Sequence, residues 1–195
     1  MTRSQRRLPP GYRHIDTAAA YGNERQVGEA AASSGIPRSD IFLETKIWIS
    51  DYGYDQTLHG FEKSARKLGV GQIDLLILHQ PLPTDFEATL EASGCWRRCW
   101  PTGRRGPSGS ANVMVEHLTA LLDRATVVPA VNQIEVHPYF AQRGVQAFGA
   151  EHGILTRPGA RSAASPSTAT ATTAARSPTR SSAASPRPTG RRPPR

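Results

Sequence analysis

Long apolar runs are missing from this chain of 195 residues. Nothing approaches the roughly 18 consecutive apolar residues that mark a membrane-spanning helix, so no membrane partner is expected. The start, MTRSQRRLPP, is basic but has no apolar core behind it, which argues against a secretory signal and makes a cytoplasmic protein the expectation. Cysteine is scarce. Cys95 and Cys99 sit four apart among Trp and Arg, and two thiols build neither a disulfide framework nor a four-ligand zinc site, so no metal is expected. With 37% hydrophobic residues the chain can fill one modest globular domain but not several.

Acids are absent from three stretches, and this decides what the net charge of +8 means. Residues 1–10, 93–111 and 157–195 hold 15 of the 24 Lys+Arg and none of the 16 Asp+Glu. The remainder is therefore acidic. A nucleic-acid groove would mix its cations into patterned segments, whereas these lie in segments with no pattern, so no specific nucleic-acid partner is expected.

Pattern divides the chain into an unpatterned piece (1–10), a patterned body (11–156, interrupted by an aberrant insert at 93–111) and a tail (157–195) of almost only Ala, Arg, Ser, Thr, Pro and Gly. No Leu, Ile, Val or aromatic residue follows Leu155. Such a tail buries too little apolar area to offset chain entropy and is expected to be disordered. Within the body, strand and helix periods alternate. Strands are predicted at 12–17, 41–48 (IFLETKIW), 73–79 (IDLLILH) and 130–136, and helices at 23–34, from Asp51 or Asp55 as cap to Leu68, and at 84–92, 113–125 and 142–152. Ile154 and Leu155 start a further element. The alternation predicts an α/β fold with parallel pairing through right-handed crossovers, either an eight-stranded barrel or an open doubly wound sheet. No GxGxxG follows a strand, which lowers the nucleotide-binding open-sheet option. Asp16, Lys46, His79 and Gln133 fall at or near strand C-termini, the rim where barrel chemistry gathers.

Those rim residues suit one chemistry. A tyrosine such as Tyr21 is a feeble acid, titrating near pH 10. An ammonium such as Lys46 beside it is expected to lower that value, with Asp16 holding the ammonium in place. His79 can donate to an oxygen on which charge develops as a carbonyl becomes an alkoxide. The plain alternative for each is a solvated loop or strand-end residue. His14 and His137 read as structural, and His59, His117 and His152 as surface residues on helices.

The motifs are more specific than the chemistry. GYRHIDTAAAYGNERQVG (11–28), with Asp16, Glu24 and Gly28 in place, resembles the signature of the aldo-keto reductase superfamily. IFLETKIW, IDLLILHQP and AVNQIEVHPY (130–139) supply three further blocks in order, and with VMVEHLTALLD they most resemble bacterial reductases of the 2,5-diketo-D-gluconate type. The resemblance covers the 127 patterned residues. It implies a (β/α)8 TIM barrel that reduces an aldehyde or ketone to an alcohol with NADPH. It implies a catalytic set of Asp16, Tyr21, Lys46 and His79, with Tyr21 as proton donor and His79 orienting the small-molecule carbonyl substrate. Asp16, Asn112 and Gln133 would lie against the nicotinamide, and Trp48 with His79 against the substrate.

Three segments depart from the resemblance. Only ten residues precede Gly11, where a first strand and helix belong; GRRGPSGSAN stands where a fifth strand like VRAIGVSN belongs; and RPGARSAAS stands where QAWSPIGG and the later strands belong. The expected architecture is thus a partial barrel lacking its first, fifth, seventh and eighth strands in good form. These segments are expected to be out-of-frame translations of a GC-rich gene, the alternative being a natural insertion plus a linker of biased composition. WRRCWPTG can be encoded so that the neighbouring frame reads LEALLADG, and RPGARSAA so that it can give AWSPIG; the coding sequence in all frames is the direct check. A barrel short of strands exposes edges and interior, so low stability and aggregation are expected, and with the phosphate-clamping loops missing NADPH binding is expected to be weak or absent. The alternative function is a non-catalytic remnant or interaction protein with a basic tail.

Overall fold

In the computed structural model, residues 11–82, 84–99 and 106–159 are described. They hold six strands in one sheet, arranged in chain order with every neighbouring pair parallel. The strands are β1 (His14–Asp16), β2 (Phe42–Ile47), β3 (Leu75–Leu78), β4 (Ser108–Ala111), β5 (Val131–Ile134) and β6 (Leu155–Pro158). Each crossover carries a helix: α1 (Glu24–Ala32), α2 (Tyr54–Leu68), α3 (Phe86–Gly94), α4 (Val115–Arg124) and α5 (Arg143–Glu151). Strand order never reverses, which removes the doubly wound alternative. The sheet curls, and side chains of β5 and β6 reach those of β1 and β2 across its concave face. Gln133 Nε2 donates to Asp16 Oδ2 at 2.8 Å, and Arg157 Nη1 to a Glu44 oxygen at 2.6 Å. The partial barrel expected from the sequence is the fold.

Period-two alternation assigns each strand residue to one of two layers. Leu43 of β2 packs outward with Ala31, Leu68 and Ile73 under α1 and α2. Ile47, Leu76 and Leu78 join Ala92, Trp96, Leu118 and Leu121 in the larger outer core. Facing the barrel interior are Leu75, Ile77, Ala111 and Val131, a small apolar cluster, and beside them the polar Glu44 and Lys46. Strands buried on both faces explain why IDLLILH reads as an unbroken apolar run.

Two strands form where the sequence shows no strand pattern. SGSA is a weak strand former, yet as β4 it is buried along its length between β3 and β5. Small side chains are what this slot accepts: a Cβ on Gly109 would stand 2.6 Å from Val131 Cγ2 and 3.1 Å from Ile77 Cγ1. Likewise β6 continues through Pro158, so order runs beyond the boundary expected after residue 156. Of the expected insert at 93–111, residues 93–99 and 106–111 are among the described ones. Its first residues end α3, a 3-10 turn follows at Cys95–Arg97, and Cys95, Trp96 and Cys99 are buried in the outer core. Residues 1–10, 100–105 and 160–195, including most of the tail, lie outside the described residues.

The capping of α2 also differs from expectation. Neither Asp51 nor Asp55 caps it; the N-cap is Gly53, with φ 110°. A 3-10 turn at Ile49–Asp51 carries Asp51 alongside the helix rather than ahead of it. There its carboxylate takes Lys63 Nζ at 2.6 Å, and its carbonyl accepts from Thr57 Oγ1 at 2.9 Å. Among the described residues no helix is long and apolar enough to cross a membrane.

Candidate active site

Three strand ends and one turn build the site. β1 ends on Asp16, β2 places Lys46 next to last on its inner face, and His79 follows β3 directly. Tyr21 closes a 3-10 turn after β1, in which Gly22 takes the left-handed conformation (φ 67°) that favours glycine. Lys46 is almost wholly buried, and its ammonium pairs with Asp16 Oδ1 and lies 3.3 Å from the Thr17 carbonyl. The same nitrogen stands 5.6 Å from the centroid of the Tyr21 ring. His79 meets Tyr21 edge to face, with centroids 5.9 Å apart, and Trp48 in the same manner at 5.0 Å. The four residues implied by the resemblance therefore converge at one rim, with Trp48 beside them. Tyr21 keeps 55% of its surface exposed, so a molecule in solution can reach it.

Electrostatics at the rim depart from expectation at Tyr21. Burial pulls the Asp16 carboxyl up, but hydrogen bonds from Lys46 and Gln133 and the Lys46 charge outweigh it, leaving Asp16 below its ordinary value and ionised. The Tyr21 phenol is raised rather than lowered, by partial burial and then by the negative charges of Asp16 and Glu44. Lys46 is committed to Asp16 and sits over the ring, so its charge does not lower the phenol. His79 is pushed down, by burial first and then by Lys46, with Asp16 opposing, so its imidazole is neutral near neutral pH.

The candidate nicotinamide residues lie against the same group. Gln133 Oε1 is buried with no hydrogen-bond partner among the described residues, while its Nε2 donates to Asp16. Asn112 adopts a left-handed backbone (φ 57°), and its Nδ2 donates to the His79 carbonyl at 3.0 Å. It thereby ties the end of β4 to the residue after β3. Glu24 of the first motif has a structural place, accepting from Thr45 Oγ1 at 2.8 Å in the layer behind Lys46.

Sequence reasoning missed the charges beneath the rim. Glu44 is fully buried and receives His14 Nε2 at 2.9 Å and both terminal nitrogens of Arg157. Arg157 Nη2 also lies 3.8 Å from Asp16 Oδ2. A signal for Glu44 existed: Glu and Lys two apart in an otherwise apolar strand share one face. Arg157 had none, because its segment carries no pattern.

Three comparisons bear on ancestry. The model of the aldo/keto reductase family matches residues 5–171. An aldo-keto reductase of Mycolicibacterium smegmatis is 48% identical over 151 residues, covering 76% of this chain and 54% of that protein. Among solved structures, an aldo/keto reductase from Brucella melitensis superposes with TM-score 0.71 at 43% identity, covering 75% of this chain and 57% of the other. A Bombyx mori aldo-keto reductase, crystallised in complex with NADP, gives TM-score 0.69 at 32% identity, covering 76% and 52%. The chain thus spans about half the length of the curated relatives it matches. Four ordered motifs, parallel strands that superpose on solved members and a family pattern matched over most of this chain lead to one conclusion: the chain belongs to the aldo/keto reductase family.

Proposed function

We propose that the site reduces an aldehyde or ketone to an alcohol with NADPH. The observation that carries this reading is the single cluster of a buried ammonium held on Asp16, a phenol whose ring centroid is 5.6 Å from that ammonium and a neutral imidazole edge-on to the phenol ring. In this reading Tyr21 donates its hydroxyl proton to the carbonyl oxygen as that oxygen gains charge, and water returns the proton to the phenolate. His79 donates a hydrogen bond to the same oxygen and so orients the carbonyl. Asp16 fixes Lys46, and Lys46 steadies the phenolate that exists once the proton has left. Trp48 walls the substrate side beside His79.

The cofactor, when bound, supplies the hydride. Gln133 is suited to hold it: its buried Oε1 has no partner among the described residues and can accept from an amide N–H such as that of a carboxamide. Asp16 and Asn112 border this place, although both Asp16 oxygens and the Asn112 amide nitrogen already have partners within the chain. Their contribution is to fix Gln133 and His79.

The test is NADPH oxidation with a small aldehyde, followed by absorbance, beside Tyr21→Phe. The phenylalanine variant should lose at least about a hundredfold in kcat, the usual worth of a positioned proton donor, with little change in thermal midpoint. Turnover unaffected by Tyr21→Phe refutes the role given to the phenol, and no turnover in the parent refutes the reading for this chain.

A further inference from the structure

One carboxylate, Asp16, holds the Lys46 ammonium, and a second, Glu44, shares its face of β2. Asp16 and Glu44 are register partners on adjacent strands, and Glu44 lies two residues before Lys46 on the same face of β2. Glu44 has no access to water, so an unpaired carboxylate there would have to capture a cation or take up a proton. Arg157 removes that competition. Reaching from β6 across the barrel interior, it sets its two terminal nitrogens on the two Glu44 oxygens, a fork geometry that suits arginine and not lysine.

We propose that Arg157 is a positioning residue: by occupying both oxygens of Glu44 it keeps the Lys46 ammonium on Asp16 and next to Tyr21. The proposal rests on the reductase reading for its functional meaning, but its physical content is independent of turnover. The groups facing Glu44 are His14 and Asp16 from β1, Lys46 on β2 itself, Tyr21 from the turn after β1 and Arg157 from β6. Of these, Arg157 is the one that engages both carboxylate oxygens. Without it, Glu44 keeps an uncompensated charge that opposes ionisation of Tyr21, or draws Lys46 away and leaves the Asp16 charge uncompensated, with the same result at the phenol.

Tyr21 reports on both events without cofactor. Its ionisation is read as tyrosinate absorbance, isolated as the difference between each protein and its Tyr21→Phe counterpart. Arg157→Met should lower the ionisation constant of Tyr21 by about tenfold, the equivalent of about one pKa unit. Glu44→Gln, with Arg157 in place, should move it in the opposite direction, and Glu44→Gln with Arg157→Met should return it close to the parent. In turnover, Arg157→Met should depress kcat more than it alters KM, and the double variant should recover most of the loss. Near-UV circular dichroism establishes that each variant is folded. Should Arg157→Met fail to fold, Glu44→Gln decides alone. A Tyr21 titration that responds to neither substitution overturns the proposal, whatever the turnover. A parent with no turnover but with the expected titration shifts counts against the reductase reading and supports the electrostatic coupling.

Discussion

Gly28, in the first motif, gives the sharpest structural prediction. It lies in α1 where that helix meets the C-terminal end of α2, and a Cβ there would stand 2.0 Å from the Leu68 carbonyl oxygen, 2.6 Å from its carbon and 2.9 Å from its Cα. The first distance falls about 1.4 Å short of ordinary contact, which begins at 3.4 Å. The obstacle is backbone, so no side-chain rotation relieves it and α1 has to part from α2. In a free helix interior, glycine to alanine gains about 1 kcal/mol. Overpacking of this kind costs about 1–3 kcal/mol and more where the neighbour cannot give, so Gly28→Ala should lose a net ~2 kcal/mol or more. Urea unfolding, followed by the fluorescence of the buried Trp96, reads this as a lower midpoint at unchanged slope. Gly144→Ala is the control: it sits in the first turn of α5 with nothing within 4 Å of the added carbon, and it should be neutral or slightly stabilising. A Gly28→Ala midpoint at or above that of the parent refutes the close helix contact.

Asp16→Asn should destabilise near neutral pH, because the Lys46 ammonium then stays buried without its carboxylate. Since Asp16 is depressed in the folded state, its contribution is present above the unfolded value of about 4 and is lost as pH falls through the folded one. The difference in urea midpoint between parent and variant should therefore shrink in acid, and a gap constant with pH would contradict the pairing. The thiols of Cys95 and Cys99 are buried with sulfurs 3.3 Å apart, and the Cys95 thiol is pushed up by its hydrogen bond with Cys99 and then by burial. Alkylation should be slow in native protein and fast in urea; free-thiol rates under native conditions would show that this part of the core is open.

What was legible in the sequence followed from periodicity. IFLETKIW and IDLLILH announce buried parallel strands, and the polar residues at their ends mark the rim, so Asp16, Lys46, His79 and Gln133 came to one place as expected. β4 and β6 were not legible, for a physical reason. Ser108–Ala111 is a strand because β3 and β5 flank it and the slot admits only small side chains, a demand made by Ile77 and Val131 far away in sequence. Local propensity cannot carry that information. Leu155–Pro158 likewise gains its order by pairing with β5, and Leu155 stays 64% exposed, so its burial pattern is not that of a core strand. The Arg157 fork was hidden for the same reason: its partner lies 113 residues earlier.

The raised phenol of Tyr21 follows from the same long-range arrangement. Ammonium beside phenol, taken as a pair, predicts an acidified tyrosine. The folded interior instead holds two cations, Lys46 and Arg157, against two carboxylates, Asp16 and Glu44, in a layer beneath the rim. That layer is close to neutral as a whole, so partial burial first and then the charges of Asp16 and Glu44 set the phenol. The consequence at the surface is a protonated hydroxyl beside an uncharged imidazole, both able to donate a hydrogen bond, while full charges stay one layer deeper. A carbonyl approaching this rim meets donors before it meets charge. In the proposed reduction, an ionised lysine below becomes most valuable once the phenol has given up its proton, because favourable interaction with the phenolate then has no counterpart in the resting state. On this view Lys46 serves the product side of proton transfer, and its removal should slow the chemical step more than it weakens association of the carbonyl.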